Sequence, residues 1–388
     1  MSKRIASPAD LAIHGAPPAF PEPIHVGRPN IGDRADFLRR IDAMFDRRWL
    51  TNDGPLVREL EAAIAARLGV AHCVAMCNGT VALEIAIRAL GLAGEVIVPS
   101  YTFIATAHAL QWQEITPVFA DIDPATHNLD PDAVRRMITP RTTGIIGVHL
   151  WGRGAPHDAL QAIADEHGLK LMYDAAHAFD CTLGGRMIGG FGACEVLSFH
   201  ATKFYNTFEG GAVTTNDDAL ADKMRLMRNF GFAGYDNAIH PGTNGKMIEA
   251  CAAMGLTNLA GIDDVLAVNR ANYAAYRDAL ASIDGLSLLR YDPDERANHQ
   301  YVVVEVGDAF ATRRDDIVAA LHAENVLARR YFWPGCHAMK PYRDLFPHAR
   351  LLLPNTEAVA GRVIVLPTGT AVGPQTIATI VDVLRQLA

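Results

Sequence analysis

Ser198-Phe-His-Ala-Thr-Lys-Phe-Tyr-Asn-Thr-Phe-Glu-Gly-Gly-Ala212 sets a single lysine between two strand-like runs. The first run, 195–199, is short and apolar and leads into the segment. The second, 212–215, is β-rich and follows the glycine pair. Lys203 thus stands on the turn between two buried strands. A lysine partly withdrawn from water is harder to protonate and a better nucleophile, as Schiff-base chemistry requires. On this segment alone a solvated lysine on a connecting turn remains the plainer alternative.

Upstream, apolar runs at 73–76, 95–99, 117–120, 144–148 and 169–173 alternate with helical segments. One helix carries Leu56, Leu60, Ile64 and Leu68 at helical spacing. Asn78-Gly-Thr80 opens another, a third follows Thr102, a fourth has Pro131 in its first turn, and 157–167 reads as a fifth. Near-continuous apolar strands separated by helices predict an α/β fold with a mostly parallel sheet covered on both faces. Ligands of such sheets gather beyond the carboxyl ends of the strands, where Asp121, His149, Asp174 and Lys203 all fall.

The 388 residues, half of them hydrophobic, suit one large domain and a smaller one. Residues 1–34, rich in Pro and Gly, read as an N-terminal arm; 35–264 as the large, ligand-binding domain; 265–388 as a small C-terminal α/β domain. In the last, a strand is expected at 301–306, a helix at 313–324 and a final helix after Pro374. Net charge is −8 with no Lys/Arg block, which argues against nucleic acid or acidic membranes as partners. The first eight residues have no signal-like apolar core, and no apolar run reaches membrane-spanning length. Six scattered cysteines complete no zinc pattern. They read as reduced thiols of a cytoplasmic protein without a metal.

Four local features bear on chemistry. Asn78-Gly-Thr80, where a strand hands over to a helix, can present backbone N–H groups to a phosphate, or be an ordinary cap. Asp174-Ala-Ala-His177 offers an acid for a ring nitrogen, a histidine for a phenolic oxygen and small residues that leave room for a flat ligand. Phe103 could stack on a heteroaromatic ring, and Ser198 could add a hydroxyl to the phosphate. Each has a bland structural alternative. Together with Lys203 they are the complement of pyridoxal 5′-phosphate.

The chain resembles the DegT/DnrJ/StrS sugar aminotransferases over nearly its whole length. The resemblance rests on Asn78-Gly-Thr80, Pro99-Ser-Tyr-Thr-Phe-Ile-Ala-Thr106, Asp174-Ala-Ala-His177, Ser198-Phe-His-Ala-Thr-Lys203, Glu209-Gly-Gly211 and Gly242-Thr-Asn244. It implies the type I, aspartate aminotransferase-like fold. It also implies that Lys203 holds the cofactor as an imine, and that Asp174 pairs with the pyridinium nitrogen. By the same likeness His177 lies by the ring oxygen, where many relatives have Gln, and Phe103 stacks. Gly79, Thr80 and Ser198 would hold the phosphate, and Asn244 would reach the phosphate of a neighbouring subunit, so a homodimer with shared active sites is implied. Retention of Lys203, where some relatives carry His and dehydrate, implies amino transfer.

Trp49-Leu-Thr-Asn52, His149-Leu-Trp-Gly152 and Asn229-Phe-Gly-Phe232 look most like members that aminate C4 of dTDP-4-keto-6-deoxyglucose. L-Glutamate would be the donor, and Thr51, Asn52, Phe232 and Tyr331 are expected at the substrate. Arg153, Arg329, Arg330 and Tyr331 are candidates for diphosphate or sugar contacts, with ordinary surface placement as the alternative and the favoured one for Arg329. The alternatives are a GDP- or UDP-linked or 3-keto sugar, a lysine lyase without a cofactor and, outside catalysis, a regulatory protein that binds the cofactor.

Overall fold

The computed structural model describes residues 3–388; Met1 and Ser2, the first residues of the expected arm, lie outside it. Seven strands form the main sheet: β1 (His72–Met76), β2 (Glu95–Pro99), β3 (Thr116–Ala120), β4 (Thr142–Val148), β5 (Lys170–Asp174), β6 (Glu195–Ser198) and β7 (Gly211–Thr215). Their order is β1-β7-β6-β5-β4-β2-β3. All neighbours are parallel except β7, which runs antiparallel to both β1 and β6. The parallel core was legible as apolar runs split by helices. The reversal of β7 fits its connection, 199–210, which forms turns and no helix, whereas a parallel neighbour is usually reached through a crossover helix.

Alternate side chains of each strand enter two separate apolar layers. Cys73, Ala75, Ile97, Ile145, Leu171, Tyr173 and Leu197 face one side. Val74, Met76, Val96, Val98, Ile146, Met172 and Val196 face the other. Such a two-sided pattern requires helices on both faces. The helix Pro55–Leu68 covers the first, burying Leu60 and Ile64 completely, and Gly79–Ala89 covers the second. The carboxylate of the buried Glu249 accepts from the N–H groups of Leu56 (3.0 Å) and Val57 (2.8 Å), capping a helix that begins with Gly-Pro and lacks a side-chain cap of its own.

A second, antiparallel sheet joins β8 (Leu286–Leu288), β9 (Val302–Val306) and β10 (Val363–Leu366) in that order. The helix Ile262–Leu280 runs unbroken across the expected 264/265 boundary. Ile262 and Leu266 pack under the large sheet, whereas Tyr276 and Leu280 pack with the small one. The N-terminal arm does not stand free. Ile5, Leu11, Ala19 and Phe20 are buried in the small-sheet core, and Ile24 and His25 pair in parallel with Val326 and Leu327. Among the described residues no single helix is long and apolar enough to cross a membrane.

Candidate active site

A cavity of about 620 Å³ opens beyond the carboxyl ends of β5 and β6. Gly79, Thr80, Phe103, Asp174, His177, Ser198, Lys203 and Tyr331 all line it. Of the four strand-end residues singled out in the sequence, only Asp174 and Lys203 reach it. Asp121 instead accepts from the backbone N–H groups of Asn355 and Thr356, capping the helix Pro354–Arg362. His149 is buried in the layer below, stacked on Tyr173 at 4.4 Å, with Nδ1 accepting from the Ala155 N–H at 2.9 Å.

Lys203 follows β6 on a turn that returns as β7. The glycine pair explains how this turn packs so close to the helix Gly79–Ala89. A Cβ on Gly211 would lie 2.6 Å from the Gly79 nitrogen, and one on Gly210 would lie 2.0 Å from the Thr207 hydroxyl. A side chain on Gly211 would push the lysine loop off the helix start, and one on Gly210 would collide within the loop itself. Asn78 caps that helix, its Oδ1 accepting from the Val81 N–H at 2.8 Å. Asn78 thus serves as an ordinary cap, and Asn78, Gly79 and Thr80 also line the cavity. A Cβ on Gly79 would stand 3.1 Å from the Ser198 Cβ, so the helix start and Ser198 face one another closely.

Burial pulls the Lys203 amine down to about 8, against the pull of Asp174 and Tyr331 in the other direction. Its Nζ donates to the Tyr301 hydroxyl at 3.3 Å. Asp174 is 5 % exposed and its pKa is raised by burial. The Thr106 hydroxyl donates to its Oδ2 at 2.8 Å and the Ala176 N–H to its Oδ1 at 3.0 Å, and both oppose the rise. The single proton of Thr106 is thus committed, so Thr102, 3.1 Å away, is the donor in the Thr102–Thr106 pair.

Burial holds His177 neutral, well below its ordinary value, with Lys203 adding to the effect. Its Nδ1 accepts from the Trp151 N–H at 3.3 Å, which leaves the ring proton on Nε2. Trp151, with φ of 62°, stacks on one side of the ring at 5.8 Å, and Phe332 stacks at 5.7 Å. Thr106, Trp151, Tyr301 and Phe332 were given no role in the sequence, although Thr106 and Trp151 stand inside motifs that carry the resemblance. Thr106 had a usable signal, since it lies three residues beyond Phe103 on the segment entering the next helix. Tyr301 and Phe332 had none, because they arrive from the small lobe about 100 residues or more beyond the lysine.

Thr51, Asn52, Phe232 and Asn244 do not line this cavity. Asn52 and Phe232 border a smaller one of about 210 Å³ with Arg228 and Lys246. Thr51 is half-buried, and Asn244 accepts from Lys246 Nζ at 2.6 Å. Arg153 donates to the carbonyls of Ala125 and Thr126, and Arg330 pairs with Asp315 at 3.0 Å. Arg329 lies over the Tyr331 ring at 5.1 Å. All six cysteines are free, four of them buried.

The residues present fit pyridoxal phosphate. A helix start with a glycine faces a serine, a buried acid stands at a strand end, and a neutral histidine presents Nε2–H. A partly desolvated lysine completes the set. Comparison with known proteins agrees. The model of the DegT/DnrJ/EryC1/StrS aminotransferase family matches residues 32–385. The dTDP-4-amino-4,6-dideoxy-D-glucose transaminase of Escherichia coli is 34% identical over 362 residues, 93% of this chain and 98% of that protein. The GDP-perosamine synthase of Caulobacter vibrioides is 36% identical over 329 residues, 83% of this chain and 87% of that one. The crystal structure of DesI in the presence of its TDP-sugar product superposes with a TM-score of 0.93 at 52% identity, covering 97% of this chain and 96% of that one. The fold is therefore the type I fold of pyridoxal-phosphate enzymes, and the chain, a pyridoxal-phosphate-dependent sugar aminotransferase, belongs to the DegT/DnrJ/EryC1/StrS aminotransferase family.

Proposed function

We propose that the chain moves an amino group from L-glutamate to C4 of a nucleotide-linked 4-keto-6-deoxy sugar. dTDP-4-keto-6-deoxy-D-glucose is the first choice, giving dTDP-4-amino-4,6-dideoxy-D-glucose. The observation that carries this choice is the 52% identity, along almost the full length, to DesI, a protein solved with a TDP-sugar product. A GDP-linked sugar is the second reading, favoured by the 36% identity to a GDP-perosamine synthase.

Bound pyridoxal phosphate supplies an aldehyde that condenses with amines and a ring that accepts electrons from the carbon attached to that nitrogen. The chain's residues supply the rest. The N–H groups of Gly79 and Thr80 and the Ser198 hydroxyl would hold the phosphate. Asp174 would hold the proton on the ring nitrogen, and His177 Nε2–H would donate to the ring oxygen. Phe103 would cover one ring face. The Lys203 amine, near neutrality, takes the proton from the donor's Cα and returns it on the other side of the transfer. Tyr301, Tyr331 and Phe332 form an aromatic wall that limits water.

The same reading makes the protein a cytoplasmic homodimer. Trp49, Leu50, Phe208, Phe230, Phe232 and Ile248 are each 41–51% exposed, and the Phe230 and Phe232 rings meet edge-on, apolar surface that a partner subunit would cover. Asn244 bridges to Asn229, next to Phe230, and its amide would enter the partner's phosphate site. The test is incubation with glutamate and a panel of dTDP-, GDP- and UDP-linked 4-keto and 3-keto sugars, following release of 2-oxoglutarate. Amination of the dTDP-linked 4-keto sugar well ahead of the rest is expected. Preference for a GDP-linked or 3-keto sugar would replace the substrate assignment.

A further inference from the structure

Tyr301 precedes β9 of the small lobe, yet its side chain forms part of the reaction cavity. It is 9% exposed, with its ring 4.6 Å from that of His177, 5.4 Å from Trp151 and 6.3 Å from Tyr331. The single proton of the Tyr291 hydroxyl faces two carbonyls, that of Trp151 at 2.9 Å and that of Tyr301 at 3.2 Å, so the two backbones lie side by side at this point. The ring therefore has little freedom. Its hydroxyl is directed at Lys203 and accepts from Nζ at 3.3 Å, and among the described residues Nζ makes no other side-chain hydrogen bond. Burial raises the phenol's pKa, so it keeps its proton across the working range.

Amino transfer asks two things of one lysine nitrogen. It is protonated at one stage and must offer a lone pair at another, and its four-carbon stem is flexible. A phenol can accept from the first form and donate to the second without losing its own proton, which a carboxylate or an ammonium cannot do. We propose that Tyr301 is the positioning residue for the Lys203 amine. Its hydroxyl accepts from Nζ while the nitrogen is protonated and donates to it when the nitrogen is neutral, so that the lysine keeps one orientation through both halves of the reaction. The small lobe thereby sets the geometry of a group carried by the large one.

The proposal rests on Lys203 being the lysine that holds the cofactor. Borohydride reduction of the loaded wild-type protein and peptide mapping test that point separately: a label elsewhere overturns the lysine assignment and this proposal together. With the label at Lys203, the pH midpoint of the visible cofactor band is compared in wild type, Tyr301→Phe and Tyr301→His. Tyr301→Phe removes the acceptor for the protonated nitrogen, so its midpoint should fall by about one pH unit with the cofactor retained. Its glutamate half-reaction, measured without any sugar, should slow about tenfold. Tyr301→His keeps a ring and an acceptor nitrogen and should shift the midpoint less. A Tyr301→Phe midpoint equal to that of wild type overturns the proposal. Equal shifts in the two variants also overturn it, since they would mark a packing effect.

Discussion

Asp174 sits in an environment that works against its own charge. Burial raises its pKa, and two hydrogen bonds and a lysine hold the rise in check. Replacing Thr106 by the near-isosteric valine removes the shorter of those bonds, 2.8 Å, and leaves the shape of the site. Asp174 then binds its proton more tightly and holds the ring nitrogen's proton less well. The Thr106→Val variant should lose about tenfold in kcat, the worth of one charge-assisted hydrogen bond, with cofactor affinity falling in parallel. Unchanged values would remove Asp174 from its assigned role.

Lys203 yields a separate prediction in the cofactor-free protein. Its folded pKa of about 8 lies below the 10.5 of a free lysine, so between these values the unfolded chain binds more protons than the folded one. Stability must then rise with pH across that window, and the cost of burying the ammonium is felt in full only below it. Allowing for the residue's partial exposure, the gain is at most about 3 kcal/mol. Denaturant unfolding of wild type and Lys203→Met between pH 8 and 10.5 should show the gain in wild type and its loss in the variant.

At the level of elements, the lysine loop and the helix Gly79–Ala89 are held together by closeness that only glycine permits. Gly79→Ala leaves room to relax, because its Cβ would meet Ser198 Cβ at 3.1 Å. Gly211→Ala does not, because its Cβ would meet main chain at 2.6 Å. Gly211→Ala should therefore cost about 2–3 kcal/mol of stability. Gly79→Ala should leave stability nearly unchanged while weakening cofactor binding about tenfold, as the added methyl crowds the phosphate's approach. Thermal melts with and without cofactor separate the two effects. These contacts also mark how far the sequence could be read. Lys203, Asp174 and His177 follow strands whose apolar runs announce them, so the chain itself places them at the sheet's carboxyl edge. Asp121 follows the same pattern and serves as a helix cap, because strand-end position says nothing of what packs above it. The partners that fix the site's protonation, Thr106 for Asp174 and the Trp151 backbone for His177, depend on a turn and a left-handed residue that no local periodicity reveals.

At the level of the whole molecule, the residues expected at the site divide into two groups. Lys203, Asp174, His177 and Gly79 line the chain's own cavity, whereas Asn244 lies outside it beside Lys246, near a face rich in exposed aromatic rings. The proposed homodimer would account for that division, because each subunit would then complete its partner's phosphate cradle. Subunit mixing tests this directly. Lys203→Ala and Asn244→Ala should each be nearly inactive as homodimers. In the mixed dimer, the cavity of the Asn244→Ala chain keeps its own lysine and receives the intact asparagine of the Lys203→Ala chain, while the other cavity carries both lesions. Random reassociation makes half of all dimers mixed, and each of these has one sound site, so activity should recover to about one quarter of wild type. Recovery would require that subunits exchange, which sedimentation of a size-tagged mixture verifies. If exchange is complete and no activity returns, Asn244 acts within its own chain and the shared site is ruled out.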